Sequence, residues 1–181
     1  MSPAADEVLY LRREKNYLVE TINEGKNIYC FPVGKDSIVF TDFNIKGFFT
    51  RDEKGNISGL QNEYQQQPMP KMKADEFSPG EHLRAKRYAA AKEGYANMNM
   101  NEYQLTYLAY DLFSKKKKDL EAVKIILDLA QEKFPQSSIV YRRWGDYYLY
   151  LGDKTAAKNN YLKALSLDPS DDNTKKALEE L

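Results

Sequence analysis

The spacing of apolar residues changes character about a third of the way along the chain. As far as residue 64 it has the short period of strands, in Val8-Leu9-Tyr10-Leu11, Tyr17-Leu18-Val19, Ile28-Tyr29-Cys30-Phe31, Ser37-Ile38-Val39-Phe40, Ile45-Lys46-Gly47-Phe48-Phe49 and Ile57-Ser58-Gly59-Leu60. Turn-forming residues separate several of these runs: Lys15-Asn16, Asn23-Glu24-Gly25, Gly34-Lys35-Asp36 and Glu53-Lys54-Gly55-Asn56. Each can supply a tight reversal, the glycines among them by reaching positive φ without a Cβ penalty. The pattern predicts an antiparallel meander that curls into a small open barrel or a bent sheet, with one apolar face to be covered. At the front, Val8, Leu11, Leu18 and Ile22 are also spaced to line a helix. Residues 65–72, polar and carrying Pro68 and Pro70, cannot continue a central strand and end this β domain, which spans 1–72.

Beyond it the period is helical, giving an α+β chain: a β meander followed by an all-α stack. Ser78-Pro79-Gly80-Glu81 combines an N-cap hydroxyl, a first-turn proline and a glutamate placed to close a capping box, so a helix begins at Pro79. Tyr88, Ala91, Tyr95 and Met98 share one face of it, and residues 73–100 form a linker and packing helix. Further helices are predicted near 101–114, 118–133, 138–150 and 154–166. A polar-faced helix follows Ser170-Asp171-Asp172.

Within the helical half, Tyr141-x-x-Trp144-Gly145-x-x-Tyr148, then Ala157-x-x-x-Tyr161-x-x-Ala164 and Pro169, resembles the tetratricopeptide repeat, a helix-turn-helix unit that acts by stacking and binding. A step back of about 34 residues, the family's period, lands on Pro135, Ala130, Leu127, Val123, Tyr110 and Tyr107, all suited to burial. Asp111 then stands for Gly145 and Ser114 for Tyr148, so the earlier copy should be packed more loosely. Ala89 and Ala96 extend the step once more, but Asn101 replaces the proline, and that segment is expected to be a lone packing helix. The resemblance implies two repeats over 101–181, with the last helix capping the stack and the other end docked on the β domain. It also implies a ligand groove lined by the first helix of each repeat: Leu108, Leu112 and Lys115 from one, Arg142, Asp146, Leu149 and Tyr150 from the other. The lysine, asparagine and arginine clamp of the family's chaperone-binding members is not matched, because Asp146 stands where asparagine is expected and Leu108 and Leu112 carry no charge. Most tyrosines of the repeats are expected inside, with at least one of Tyr147 and Tyr150 exposed or packed on a neighbour.

Ile28 to Pro32, Ser37 to Phe40, and Phe48-Phe49-Thr50-Arg51-Asp52-Glu53-Lys54-Gly55-Asn56-Ile57-Ser58-Gly59-Leu60 resemble the small β domain found at the C-terminus of β-lactamase-related serine hydrolases. That resemblance implies an accessory region whose catalytic domain is absent from this chain.

Charge narrows the partners. Lys plus Arg equals Asp plus Glu at 27 each, so no net field draws nucleic acid or an anionic membrane. No apolar run approaches the roughly 20 residues of a membrane helix, and the first residues lack a secretory signal. No membrane insertion is expected; the compartment is cytoplasmic as written, or periplasmic for a fragment of a secreted hydrolase. The expected partner is a protein or peptide, with a hydrolase catalytic domain as the alternative.

Candidate chemistry is sparse. A serine hydrolase of that class needs Ser-x-x-Lys, Tyr-x-Asn and Lys-Thr-Gly in that order. Ser114-Lys115-Lys116-Lys117, Tyr95-Ala96-Asn97 and Lys154-Thr155-Ala156 come in the wrong order, and the first match follows from a lysine run. His82 is the only histidine and has no second ligand at metal spacing; Cys30, the only cysteine, sits in an apolar strand. The pairs Asp6-Glu7, Asp52-Glu53 and Asp171-Asp172 suit turns and caps, and the lysines at 115–118 suit a solvated connection. No catalytic residue, cofactor or metal is expected, and the predicted function is a non-catalytic interaction or scaffold module.

Overall fold

In the computed structural model, residues 9–22, 27–73 and 75–181 are described, and the chain divides into two compact units at Ser78/Pro79. Val8 and the predicted turn at 23–25 lie outside the described residues.

The first unit is a meander of seven antiparallel strands in sequence order, curled into a half-barrel: β1 Leu9–Glu14, β2 Tyr17–Ile22, β3 Asn27–Gly34, β4 Ser37–Phe40, β5 Ile45–Arg51, β6 Ile57–Asn62 and β7 Met69–Pro70. Leu11 and Leu18, which could have lined a helix, lie on paired strands joined by a two-residue turn with Lys15 at φ 52°. Register puts Leu18, Cys30, Phe40 and Ile45 side by side across β2 to β5. With Ile28, Ile38 and Leu60 they belong to the sheet's apolar cluster. Gly47 keeps this layer closed, because a Cβ there would meet Phe40 at 2.7 Å and Ile38 at 3.1 Å. The proline-bearing stretch does add a strand, but only two residues at the sheet's edge, where the missing N–H of Pro70 costs no central ladder bond. Gly55, at φ 81°, turns β5 into β6. Asp52 Oδ1 accepts from Lys54 N at 3.0 Å and Asn56 N at 2.8 Å, and Arg51 Nη2 donates to Asp36 at 2.6 Å, joining two turns.

Cys30 is fully buried, and burial pushes its thiol from the ordinary 9.0 up to about 12. Since the thiolate is the nucleophile, iodoacetamide at mildly alkaline pH should leave native Cys30 unmodified and label it completely in denaturant. Mass spectrometry showing equal labelling rates in the two conditions would contradict this burial.

The second unit contains α1 Pro79–Arg84, α2 Tyr88–Asn97, α3 Glu102–Ser114, α4 Leu120–Lys133, α5 Ser138–Tyr150, α6 Lys154–Leu167 and α7 Asp172–Glu179. The helix starting at Pro79 stops six residues later. Lys86, at φ 58°, closes α1 with bonds from its own N–H to Leu83 O and from Arg87 N to His82 O, a reversal usually given to glycine. The expected face lies on α2 and its C-cap: Ala91 and Tyr95 are buried, and Tyr88 and Met98 pack against the same cluster. Helix α2 packs on α4 through Tyr88 Oη to Asp119 and Lys133 Nζ to Met98 O. Ala89 and Ala96, which fit the third step of the period, are exposed, while Ala91 and Tyr95 are buried.

Helices α3 with α4, and α5 with α6, form two helix-turn-helix pairs, of which α5 and α6 pack the more extensively. Their starts are staggered: α6 begins 34 residues after α4, but α5 begins 36 after α3. The difference lies in the connections, 115–119 in the first pair and 151–153 in the second. Two extra residues there move the buried face of α3 two positions upstream. Leu105 and Ala109 are buried, whereas Tyr107 and Tyr110, expected inside, are 54% and 45% exposed. Ala109 therefore corresponds to Gly145, and Asp111 does not stand at the close approach. Gly145 must be small, because a Cβ would collide with the ring of Tyr161. Around Trp144, Tyr147 is buried edge-on at 5.4 Å, and Tyr148, expected inside, is only partly covered.

Candidate functional site

The outer stripe of α3 carries Tyr103, Tyr107 and Tyr110, spaced to stay on one helix face. Tyr103 and Tyr107 stack at 5.9 Å between centroids, and Tyr107 and Tyr110 lie 6.3 Å apart. Asn101 starts the helix under this stripe through a reciprocal capping box with Gln104. Ser137, which caps α5, donates to Glu102 and ties the N-terminal ends of α3 and α5 together.

At the other end of the stripe the aromatic row meets cations. The Arg143 guanidinium lies over the Tyr110 ring at 4.5 Å. Lys118 Nζ lies over Phe113 at 5.4 Å and Tyr150 at 5.3 Å, and these two rings meet edge-on at 5.4 Å. Between them opens a small cleft with Ala109, Val123 and Leu127 as apolar lining and Tyr110, Phe113, Arg143 and Asp146 around them. Burial holds the Arg143 guanidinium below its usual arginine pKa, assisted by the neighbouring charge of Arg142 and opposed by Asp146. Arg143 Nε is buried without a hydrogen-bond partner, and its Nη1 is 3.4 Å from Asp146 Oδ2. The face is thus apolar and aromatic, with positive charge gathered at one end.

The residues predicted for the groove are dispersed over several roles. Leu108 and Leu112 pack on the buried cluster of the helical unit. Lys115 caps α3 and pairs with Asp111 at 3.2 Å. Arg142 turns to α7, 3.7 Å from Asp171, the N-cap of that helix. Asp146 borders the cleft but also accepts a 2.9 Å bond from the Tyr161 hydroxyl. Leu149 and Tyr150 are exposed, and Tyr150 alone of the seven joins the aromatic and cationic cluster through its ring. Tyr103, Tyr107, Tyr110, Phe113, Lys118 and Arg143 were not predicted. The signal for them was the length of the α3–α4 connection, which a lysine run disguises because no apolar residue before Leu120 marks where α4 starts.

The residues that imitate hydrolase motifs do not form a site. Ser114 ends α3 with its hydroxyl bonded to Asp111 O, Tyr95 is buried in α2, and Lys154 starts α6 with Nζ on Leu181 O. Asp171 caps α7 through Asn173 N and Thr174 N. Among the described residues no three His, Cys, Asp or Glu side chains gather as a metal-binding group, and no helix is long and apolar enough to cross a membrane. No family model matches the chain, and a search of curated proteins finds no matching relative.

Proposed function

We propose that this protein is a non-catalytic interaction module whose helical unit is a pair of tetratricopeptide-type repeats and whose ligand face runs along α3 and α5. The observation carrying this reading is the tyrosine stripe of α3, left uncovered at 68% exposure for Tyr103 and 54% for Tyr107. Large aromatic side chains present substantial contact area at low entropic cost, which makes them frequent anchors of protein interfaces. The close approach of Gly145 to Tyr161 and the buried Ala157 and Ala164 support the repeat assignment, because small residues let the paired helices approach. In this reading α7 closes the stack and supplies the polar outer surface that a terminal repeat requires.

Affinity recovery from the source cells, comparing the intact chain with a Tyr107→Ala, Tyr150→Ala double variant, tests this. Both side chains are exposed, so the variant keeps its fold, and it should lose the partners that the intact chain retains. Identical partner sets would remove the α3–α5 face from the proposal.

The curled meander and its turn at 52–56 favour a second reading, in which the first unit is the accessory β domain of a β-lactamase-related hydrolase. A Ser-x-x-Lys catalytic domain encoded in frame ahead of Met1 would support it, and an independent start signal there would count against it.

A further inference from the structure

We infer that α7 is a releasable cap: latched by the Asp171 carboxylate, it leaves and rejoins the helical unit while α3 to α6 stay folded. This holds whatever occupies the α3–α5 face.

Helix α7 has little stability of its own. It spans eight residues, Asp172–Glu179, and an isolated helix shorter than about 12–15 residues is marginal in water. Its order therefore comes from docking, and the docking is shallow. Of those eight residues, all described, Thr174 alone is buried, Ala177 and Leu178 are half-covered and the others are exposed. Helix α4, by contrast, buries Ala122, Val123, Ile126, Leu127, Leu129 and Ala130. Buried apolar area sets how strongly a helix resists local opening, so α7 opens far more readily than α4.

One carboxylate gathers the contacts at the start of α7. Asp171 Oδ1 accepts from Asn173 N at 3.1 Å and Thr174 N at 3.3 Å, which caps the helix. Oδ2 accepts from the Thr174 hydroxyl at 2.6 Å and lies 3.7 Å from Arg142 Nη1 on α5. The buried side chain of α7 thus depends on the same group that starts the helix and pairs it with α5. Without that carboxylate the cap, the acceptor of the buried hydroxyl and the ion pair are lost together. A further tie, from Lys154 Nζ to Leu181 O at 2.6 Å, is exposed to solvent.

The joint between α5 and α6 is made within that pair. Tyr161 of α6 fills the space beside Gly145 and donates to Asp146, both on α5, so these contacts survive when α7 departs. Opening separates Arg142 from Asp171 and bares the flank of α6 on which α7 lies. The second unit accordingly exists in a docked form and a minor released form.

Amide hydrogen exchange on the full chain, read residue by residue by NMR, tests this. Lys175, whose N–H is bonded to Asp171 O at 3.1 Å, and Lys176 should be at least a hundredfold less protected than Ile126 and Leu127. In sub-denaturing urea the α4 amides should accelerate steeply and the α7 amides hardly at all, because release of one short helix exposes little surface. Ile126→Val, a mild core truncation that keeps the fold, should speed the α4 amides and leave those of α7 unchanged. Asp171→Ala should speed exchange at Lys175 and Lys176 roughly tenfold, and Arg142→Gln by a smaller factor. Equal protection in α4 and α7, with the same response to urea and to Ile126→Val, means one cooperative unit and overturns independent release. Indifference of Lys175 to Asp171→Ala, the mark of simple fraying from the far end of the helix, overturns the latch.

Discussion

Tyr161→Ala is expected to lower the stability of the helical unit by about 3–5 kcal/mol, the range for emptying a large aromatic site in a packed core. Tyr161 is fully buried in α6, its ring fills the space that Gly145 leaves open on α5, and its hydroxyl donates to Asp146 at 2.9 Å. Truncation removes the ring from a site too tightly framed to collapse and also strips a partner from a half-buried carboxylate. Tyr161→Phe separates the two effects: it keeps the ring and should cost only about 1–2 kcal/mol for the lost hydrogen bond. Urea titration followed by circular dichroism measures both, and a loss below about 1 kcal/mol for the alanine variant would mean the α5–α6 contact is not packed as described. The pH dependence has a definite sign. Burial, and then the charge and hydrogen bond of Asp146, raise the phenol's pKa from its ordinary 10.0. The native state therefore keeps a proton that the unfolded chain releases, so the contribution is intact below pH 10 and is lost as pH rises above it.

Leu105→Ala is expected to cost about 2–5 kcal/mol, while Tyr107→Ala, two positions along the same helix, should change stability by no more than about 0.5 kcal/mol. A uniform 34-residue period predicts the reverse, because it places Tyr107 beside the buried face and makes no core demand on Leu105. Leu105 has no exposed surface, and Tyr107 has more than half of its own exposed. The same denaturant titration on the two single variants decides between the registers. A large loss for Tyr107→Ala with a small one for Leu105→Ala would refute the two-residue offset of α3. Deleting two lysines from the 115–118 run offers a direct check, since it makes the two connections equally long and should destabilise the α3–α4 pair by forcing α3 out of its burial register.

Much of the architecture was legible because local chemistry and burial agreed. Alternation marked the strands, Pro68 and Pro70 marked the end of the sheet, and the helical period marked α3 to α6 close to their observed bounds. Legibility failed where a backbone turn used an unexpected residue. Lys86 adopts positive φ with no glycine to announce it, so α1 and α2 looked like one helix. Asn44, at φ 50°, likewise helps reverse β4 into β5 within a connection that carries no glycine. The candidate site failed for a different reason. Tyrosine serves equally well inside a helix pair and at an exposed interface, so composition could not sort the inner tyrosines from the outer ones.

By itself, the amino-acid sequence determined the change from sheet to helices, strands β2 to β6, helices α3 to α7 and the small residue Gly145 at the close approach of α5 and α6. These depend on interactions within a few residues or on one strongly marked motif. Tertiary structure alone decided which way α3 faces. Helical phase advances by about 100° per residue, so a two-residue difference in a solvated connection turns the helix by more than half a revolution. That rotation carries Leu105 and Ala109 into the core and leaves Tyr103, Tyr107 and Tyr110 as a row outside it.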